Sequence, residues 1–233
     1  MAQSRAMARD PRIERGLLAQ LTARHRRLED GEEALGWKLG FGVPAAMKKL
    51  GTSAPLVGHL LRSGLVEPGG TVEVGAWANP RLEPEIAVHM GADLGSGASR
   101  EDAAAAVRGL GVAIELVDID PSAADPEPIL AANIFQRHVL LGPMREGATA
   151  SGVSARISVN GSEEASADDA TEATGDPLDL VRHVASTLAA AGETLRAGEV
   201  VICGSVVPAL AVAPGDEVEV VLEPLGSLAV SFA

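Results

Sequence analysis

Pro80-Arg81-Leu82-Glu83-Pro84-Glu85-Ile86-Ala87-Val88-His89-Met90 is the stretch whose pattern decides the fold. From Leu82 onward it carries the two-residue period of a β-strand, so Glu83 and Glu85 project from one face with Cβ atoms about 7 Å apart. Two like charges on one strand face need a compensating partner. Farther along, Ala113-Ile114-Glu115-Leu116-Val117 sets a third carboxylate inside an aliphatic run that reads as a second strand, Val112 to Ile119. A charge among residues that belong in a core is costly unless it is paired or metal-bound. Three carboxylates without matched local cations suit a hard divalent ion such as Mg²⁺ or Mn²⁺, which takes oxygen ligands and keeps positions for water and substrate. The competing reading is a solvent-facing Glu-X-Glu edge, with Glu115 paired to Arg81 or Lys38.

Upstream, Leu35-Gly36-Trp37-Lys38-Leu39-Gly40-Phe41-Gly42 alternates bulky and small residues, as a short strand or bulged edge does, and buries a lysine in an apolar setting. An isolated lysine of this kind snorkels, keeping its stem in the core and its head in water. Beside a metal, a held ammonium can polarise a carbonyl, stabilise an enolate, or act as an acid or base if its pKa is depressed.

Asp10-Pro11 reads as a helix cap followed by a first-turn proline, with Ile13, Leu17, Leu18, Leu21 and Leu28 keeping one face apolar to about Asp30. Pro44 opens a short helix ending near Leu50-Gly51, and the glycine-punctuated stretch from there to Trp77 reads as loop, long enough to form a lid or wall. Ser99-Arg100-Glu101-Asp102 is a capping box for a helix through about Leu110. Strands are expected at His138–Leu141 and Val153–Val159, with a hairpin turn at Asn160-Gly161 and a loop over the acidic stretch Glu163–Glu172. Asp176-Pro177 opens an amphipathic helix stopped by Gly192, and Glu199–Ile202, Glu217–Leu222 and Leu228–Phe232 are short strands. At 233 residues one domain is the default.

Composition removes several classes of function. Lys plus Arg total 19 against 32 Asp plus Glu, a net charge of −13, which repels phosphate backbones and argues against a nucleic-acid partner. With three Phe, two Trp and no Tyr, base-stacking platforms are missing as well. The longest charge-free run, Val200–Gly215, is broken by Gly204 and Pro208 and falls short of the about 20 apolar residues that a membrane span needs. The N-terminal MAQSRAMARDPRIERG has arginines but no apolar region behind them; it is expected to stay attached and partly disordered. The lone Cys203 excludes an internal disulfide, fits a reducing, cytoplasmic setting and reads as a small buried residue. No dinucleotide or phosphate-loop glycine motif is present, Gly204-Ser205 lacks the surroundings of a nucleophile elbow, and His25, His89, His138 and His183 have no ligand spacing.

Taken together, Gly36-Trp37-Lys38-Leu39-Gly40, Pro80 to Ala87, Ile114-Glu115-Leu116-Val117, Gly204, Pro214-Gly215-Asp216 and Gly226-Ser227 resemble one branch of the fumarylacetoacetate hydrolase superfamily. That branch comprises the 2-keto-4-pentenoate hydratases and 4-oxalocrotonate decarboxylases, and the similarity runs from about Asp10 to Ala233. It implies an α+β fold, a mixed β-roll with outer helices, in which a small helical section (1–35) precedes a metal-binding core (36–233), in a homo-oligomer. By the same resemblance Glu83, Glu85 and Glu115 are metal ligands, Lys38 is the active-site lysine, and Arg81, Asn133 and the Gly204-Ser205 backbone lie along the substrate pocket. The implied activity is that of a Mg²⁺- or Mn²⁺-dependent lyase acting on a small 2-oxo acid through a metal-stabilised enolate, a hydratase first and a decarboxylase second.

One departure matters. Where the branch carries an acid in a Pro-Asp-X-Gly pattern, this chain reads Pro55-Leu56-Val57-Gly58. Leu56 transfers no proton, so either His59, Asp118 or Glu32 substitutes for the acid or the reaction differs. The alternatives are a remodelled isomerase, cyclase or acylpyruvate hydrolase, or a 2-oxo acid binding homologue without catalysis. The His-Glu pair of the carbon-carbon hydrolases has no counterpart between Gly42 and Gly51, where Lys48 and Lys49 stand instead.

Overall fold

The computed structural model describes residues 10–233, so the expectation of partial disorder over residues 1–16 lies outside the described residues as far as Arg9, and from Pro11 onward the chain is helical instead. Helix α1 (Pro11–Glu29) starts where the cap signature predicts: the Asp10 carboxylate accepts from the Arg12 amide at 2.9 Å and Pro11 fills the first turn. Then come β1 (Ala34–Gly40), α2 (Pro44–Leu50), β2 (Leu56–Leu61), β3 (Thr71–Val72), β4 (Pro80–Met90), α3 (Arg100–Ala106) and β5 (Val107–Asp118). They are followed by α4 (Pro126–Ala131), β6 (Gln136–Leu141), β7 (Arg145–Glu146), β8 (Ser154–Val159), β9 (Ser162–Ala167) and α5 (Pro177–Ala190). The chain closes with β10 (Val200–Ser205), β11 (Leu210–Ala211), β12 (Glu217–Glu223) and β13 (Gly226–Phe232).

Three expectations need correction. The stretch to Trp77 contains β2, all six of whose residues are buried against β1 and its surroundings. Helix α3 stops at Ala106 instead of Leu110, because Val107–Gly111 is taken up by antiparallel pairing with β4, Leu110 lying opposite Val88. The acidic stretch is a strand as far as Ala167: β9 pairs with β8 across the expected Asn160-Gly161 turn, whose residues have φ of 53° and 80°. An unpredicted helix, α4, opens on Asp125-Pro126, the same signature as Asp10-Pro11 and Asp176-Pro177.

The larger sheet runs β2-β1-β10-β4-β5-β6, with β11 added to β4 and β7 to β5. It curls on itself: beyond β2 the Val66 amide donates to Val139 O of β6 at 2.9 Å, and Leu65 bridges Val139. One face of this roll carries a small cluster of Leu60, Ala87, Ala113, Val139, Val200 and Ile202. The other face gives Trp37, Leu39, Ile86, Val88, Ile114 and Leu116 to the main core, shared with the smaller sheet β3-β13-β12-β8-β9 and with Val181, Val184 and Leu188 of α5. The mixed roll with outer helices is therefore the expected fold. Alternation along β4 and β5 sends Glu83 and Glu85 to the same face as Ala87, and Glu115 to the same face as Ala113.

Parallel pairing of β1 with β10 depends on close approach at Gly36, where an added Cβ would lie 1.9 Å from Val200 O. Gly36→Ala should therefore lower stability in urea unfolding by about 3 kcal/mol, the scale of a forced core overlap. Gly95→Ala, whose Cβ position is open, should stay within about 0.5 kcal/mol of the parent.

Candidate metal centre

On the β4–β5 ladder Glu83 lies directly opposite Glu115, and Glu85 opposite Ala113. Opposed residues of an antiparallel pair project to the same side, so three carboxylates distant in sequence meet, with oxygens all within 4.8 Å of one another. Ala113 supplies the small side chain that leaves them room. Glu85 and Glu115 are fully buried, while Glu83 is partly exposed.

Two further strands supply opposite polarity. Between Ile202 and Ser205 the β10–β4 register shifts, and Gly204, in a left-handed conformation at φ 89°, points its amide out of the ladder to donate to Glu85 Oε2 at 2.6 Å. From β1, the buried Lys38 ammonium forms an ion pair with Glu115 Oε1 and donates to Ile134 O at 3.3 Å. Its stem passes over Gly58, where a Cβ would lie 2.8 Å from Lys38 Cγ.

The acceptor carbonyl comes from an uncommon backbone turn. Asn133, Ile134 and Phe135 have φ of 50°, 53° and 62°, three consecutive left-handed residues, each costing on the order of 1 kcal/mol or more. Asn133 holds the turn against β2: its Oδ1 accepts from the His59 amide at 2.8 Å and its Nδ2 donates to His59 O at 2.9 Å.

Burial raises all three carboxyls above their ordinary range. For Glu85 the neighbouring Glu115 and Glu83 charges push in the same direction, while Lys38 and the Gly204 amide oppose. Glu115 is raised to about 7 by burial against the pull of Lys38, and Glu83 is raised by burial against the same cation. One ammonium does not satisfy three carboxylates, two of them fully buried, and among the described residues Glu85 Oε1 and Glu115 Oε2 have no hydrogen-bond partner. Hard oxygen donors, clustered, buried and short of positive charge, fit a divalent cation.

The site opens into a cavity of about 450 Å³ bordered by Lys38, Glu83, Gly204 and Ser205. Much of the remaining wall is apolar, with Phe41, Val43, Pro55, Ile134 and Phe135, and Ser166 and Thr174 reach it from β9 and the segment beyond. The acidic stretch thus helps to shape the pocket.

Residues 43–233 match the family model for the fumarylacetoacetate (FAA) hydrolase C-terminal domain. The chain belongs to the FAA hydrolase family. It is 31% identical over 219 residues to 4-oxalocrotonate decarboxylase of Pseudomonas putida, covering 91% of this chain and 83% of the relative. Identity is also 31% over 218 residues to 2-hydroxyhexa-2,4-dienoate hydratase of Comamonas testosteroni, covering 88% and 81%. Among solved structures, 4-oxalocrotonate decarboxylase from Pseudomonas putida G7, complexed with magnesium and adipate, superposes with a TM-score of 0.86 at 28% identity over 92% of this chain and 83% of that one.

Within this FAA hydrolase fold several residues expected at the pocket take other positions. Arg81 is not in the cavity wall; its Nη2 donates to Asn79 Oδ1 at 3.0 Å. Asn133 is also absent from the wall and spends its amide on the β2 backbone, whereas its neighbours Ile134 and Phe135 line the cavity. Leu56 is buried in an apolar cluster with Leu50, Ile129, Leu130 and Ile134. None of the three substitute acids reaches the cavity. His59 is buried and kept neutral, its pKa lowered to about 3 by burial and by Arg24, Arg27 and Lys38. Asp118 accepts from the Asn79 amide and from Arg137, and Glu32 pairs with Arg27 and Ser63. The Asn133–Phe135 turn escapes sequence reading; the Asp125-Pro126 cap just before it is the only local signal.

Raised carboxyls favour the folded state while protonated, so in metal-free protein their contribution is complete below pH about 4.5 and is lost as pH climbs, for Glu115 through about 7. A cation replaces the lost protons. Calorimetry should therefore find a larger rise in Tm on adding MgCl₂ at pH 8 than at pH 6; an equal or smaller rise at pH 8 counts against a shared ion.

Proposed function

We propose that this chain is a divalent-metal-dependent lyase acting on a small 2-oxo acid, a hydratase of the 2-keto-4-pentenoate type. The observation that carries the reading is the convergence of Glu83, Glu85 and Glu115 beside the Lys38 ammonium at the wall of a cavity. The three glutamates would hold Mg²⁺, the ion bound in the solved decarboxylase relative, or Mn²⁺, which shares its preference for oxygen ligands. Such an ion, when bound, polarises a 2-oxo carboxylate as a Lewis acid.

The chain's own groups do the rest. Lys38, fixed between Glu115 and Ile134 O, directs a desolvated positive charge at the polar end of the cavity, where negative charge develops as the 2-oxo group enolises. The Gly204 amide is aimed at Glu85 and so fixes one carboxylate. Apolar walls exclude water and strengthen these interactions. The reading further assigns a single domain, with 1–35 as a helical section and 36–233 as the catalytic core, acting in the cytoplasm as a homo-oligomer without a nucleic-acid partner. The net charge of −13 supports the absence of a nucleic-acid partner and the lone Cys203 a reducing compartment; no helix among the described residues is long and apolar enough to cross a membrane.

Decarboxylation of a 2-oxo acid is the second reading. It is favoured because none of Leu56, His59, Asp118 and Glu32 brings a proton to the cavity: adding water needs a group that activates the water and protonates carbon, whereas losing CO₂ leaves its electron pair on the enolate, which then takes a single proton from solvent.

Turnover of 2-hydroxypenta-2,4-dienoate should vanish with EDTA and in Glu83→Ala. In Lys38→Ala, kcat should fall by about 100-fold or more, the scale of losing one electrostatic contact at developing charge. Turnover that survives both EDTA and Glu83→Ala would overturn the metal-dependent mechanism.

A further inference from the structure

Building on the lyase reading above, we infer that the cavity takes a 2-oxo acid monoanion with an uncharged hydrocarbon tail and discriminates against a carboxylate at the tail's far end. The distribution of charge around the cavity carries this. Among the described lining residues Lys38 is the only cationic side chain, and its ammonium is already engaged by Glu115 and Ile134 O. One ammonium against three carboxylates leaves an excess of two negative charges, which a single divalent ion neutralises. A monoanionic substrate then brings one charge to the polar end. A dianion brings a second charge to a region with no cation to meet it.

Phe41, Val43, Pro55, Ile134 and Phe135 make much of the wall away from the carboxylates, and the rings of Phe41 and Phe135 pack edge to face with centroids 6.5 Å apart. The lining hydroxyls are mostly committed. Ser205 donates to Val207 O at 2.6 Å, and the single Thr174 hydroxyl proton is taken up by Gly175 O at 3.3 Å or Ala170 O at 3.5 Å, which leaves Ser166. One neutral hydroxyl does not offset the desolvation of a carboxylate, whereas methylene and methyl groups gain from the same walls. This separates the two readings of the previous section, because a decarboxylase has to admit the carboxylate that leaves as CO₂.

The test compares 2-oxohexanoate with 2-oxoadipate, which differ only in a terminal methyl or carboxylate, by calorimetric titration of the full chain with Mg²⁺ present. The expected result is at least about ten-fold tighter binding of 2-oxohexanoate. A second arm uses Val43→Arg, which adds a cation at a rim position 40% exposed and so tolerant of the change. Its affinity for 2-oxoadipate should rise by about ten-fold, so that the preference for 2-oxohexanoate, whose tail loses part of an apolar wall, is cancelled or reversed. If both ligands bind and 2-oxoadipate is as tight or tighter, or if Val43→Arg brings no gain, the discrimination by charge is wrong while the lyase reading stands. If neither ligand binds, the lyase reading falls and the substrate class falls with it.

Discussion

Glu83 faces Glu115 across the β4–β5 ladder, and the chemistry of the site depends on that register. Because strand side chains alternate, a slip of one residue would turn one member of the pair into the main apolar core and dissolve the cluster. The register is secured on both sides. β4 is zipped to β5 along its whole length and to β10 and β11 on its other edge, and β5 is flanked by β6 and β7. A central position in a curled sheet gives the carboxylates a rigid base that a loop could not supply.

That rigidity has an electrostatic counterpart. Three crowded carboxyls, two of them fully buried, served by one ammonium and one backbone amide make a poor arrangement for a protein with no other role for them, since burial and crowding favour the neutral form. The same crowding becomes favourable once a divalent charge stands among them. Site and stability are therefore linked: the groups that weaken the metal-free fold are the groups that would hold the ion.

Much of this was legible in the residues themselves. The two-residue period of β4 puts Glu83 and Glu85 on one face, and a lone acid in an aliphatic run marks Glu115 as a residue that needs a partner. Asp-Pro pairs announce α1 and α5, and the same pair announces α4 to a reader who looks for it. What was not legible depends on contacts formed only in three dimensions. β2 is buried on both faces and so shows no alternation, and its Gly58 looks like a loop residue until Lys38 is seen lying across it. β9 is polar because it is the edge of the smaller sheet and is mostly exposed. Likeness to known enzymes located Lys38 and Gly204 at the cavity wall, but it could not foresee that Arg81 turns to Asn79 or that Asn133 grips the backbone of β2.

The left-handed turn at Asn133–Phe135 carries a consequence for how this protein can evolve. Ile134, β-branched, is poorly suited to its backbone conformation, and glycine in its place would relax the turn. The relief would come with added looseness in the carbonyl that steadies the Lys38 ammonium. Backbone ease and a firmly placed carbonyl therefore make opposite demands on this position, and Ile134→Gly would also empty a place in the apolar cluster of Leu50, Leu56, Ile129 and Leu130, so the packed side chain outweighs the strain it imposes.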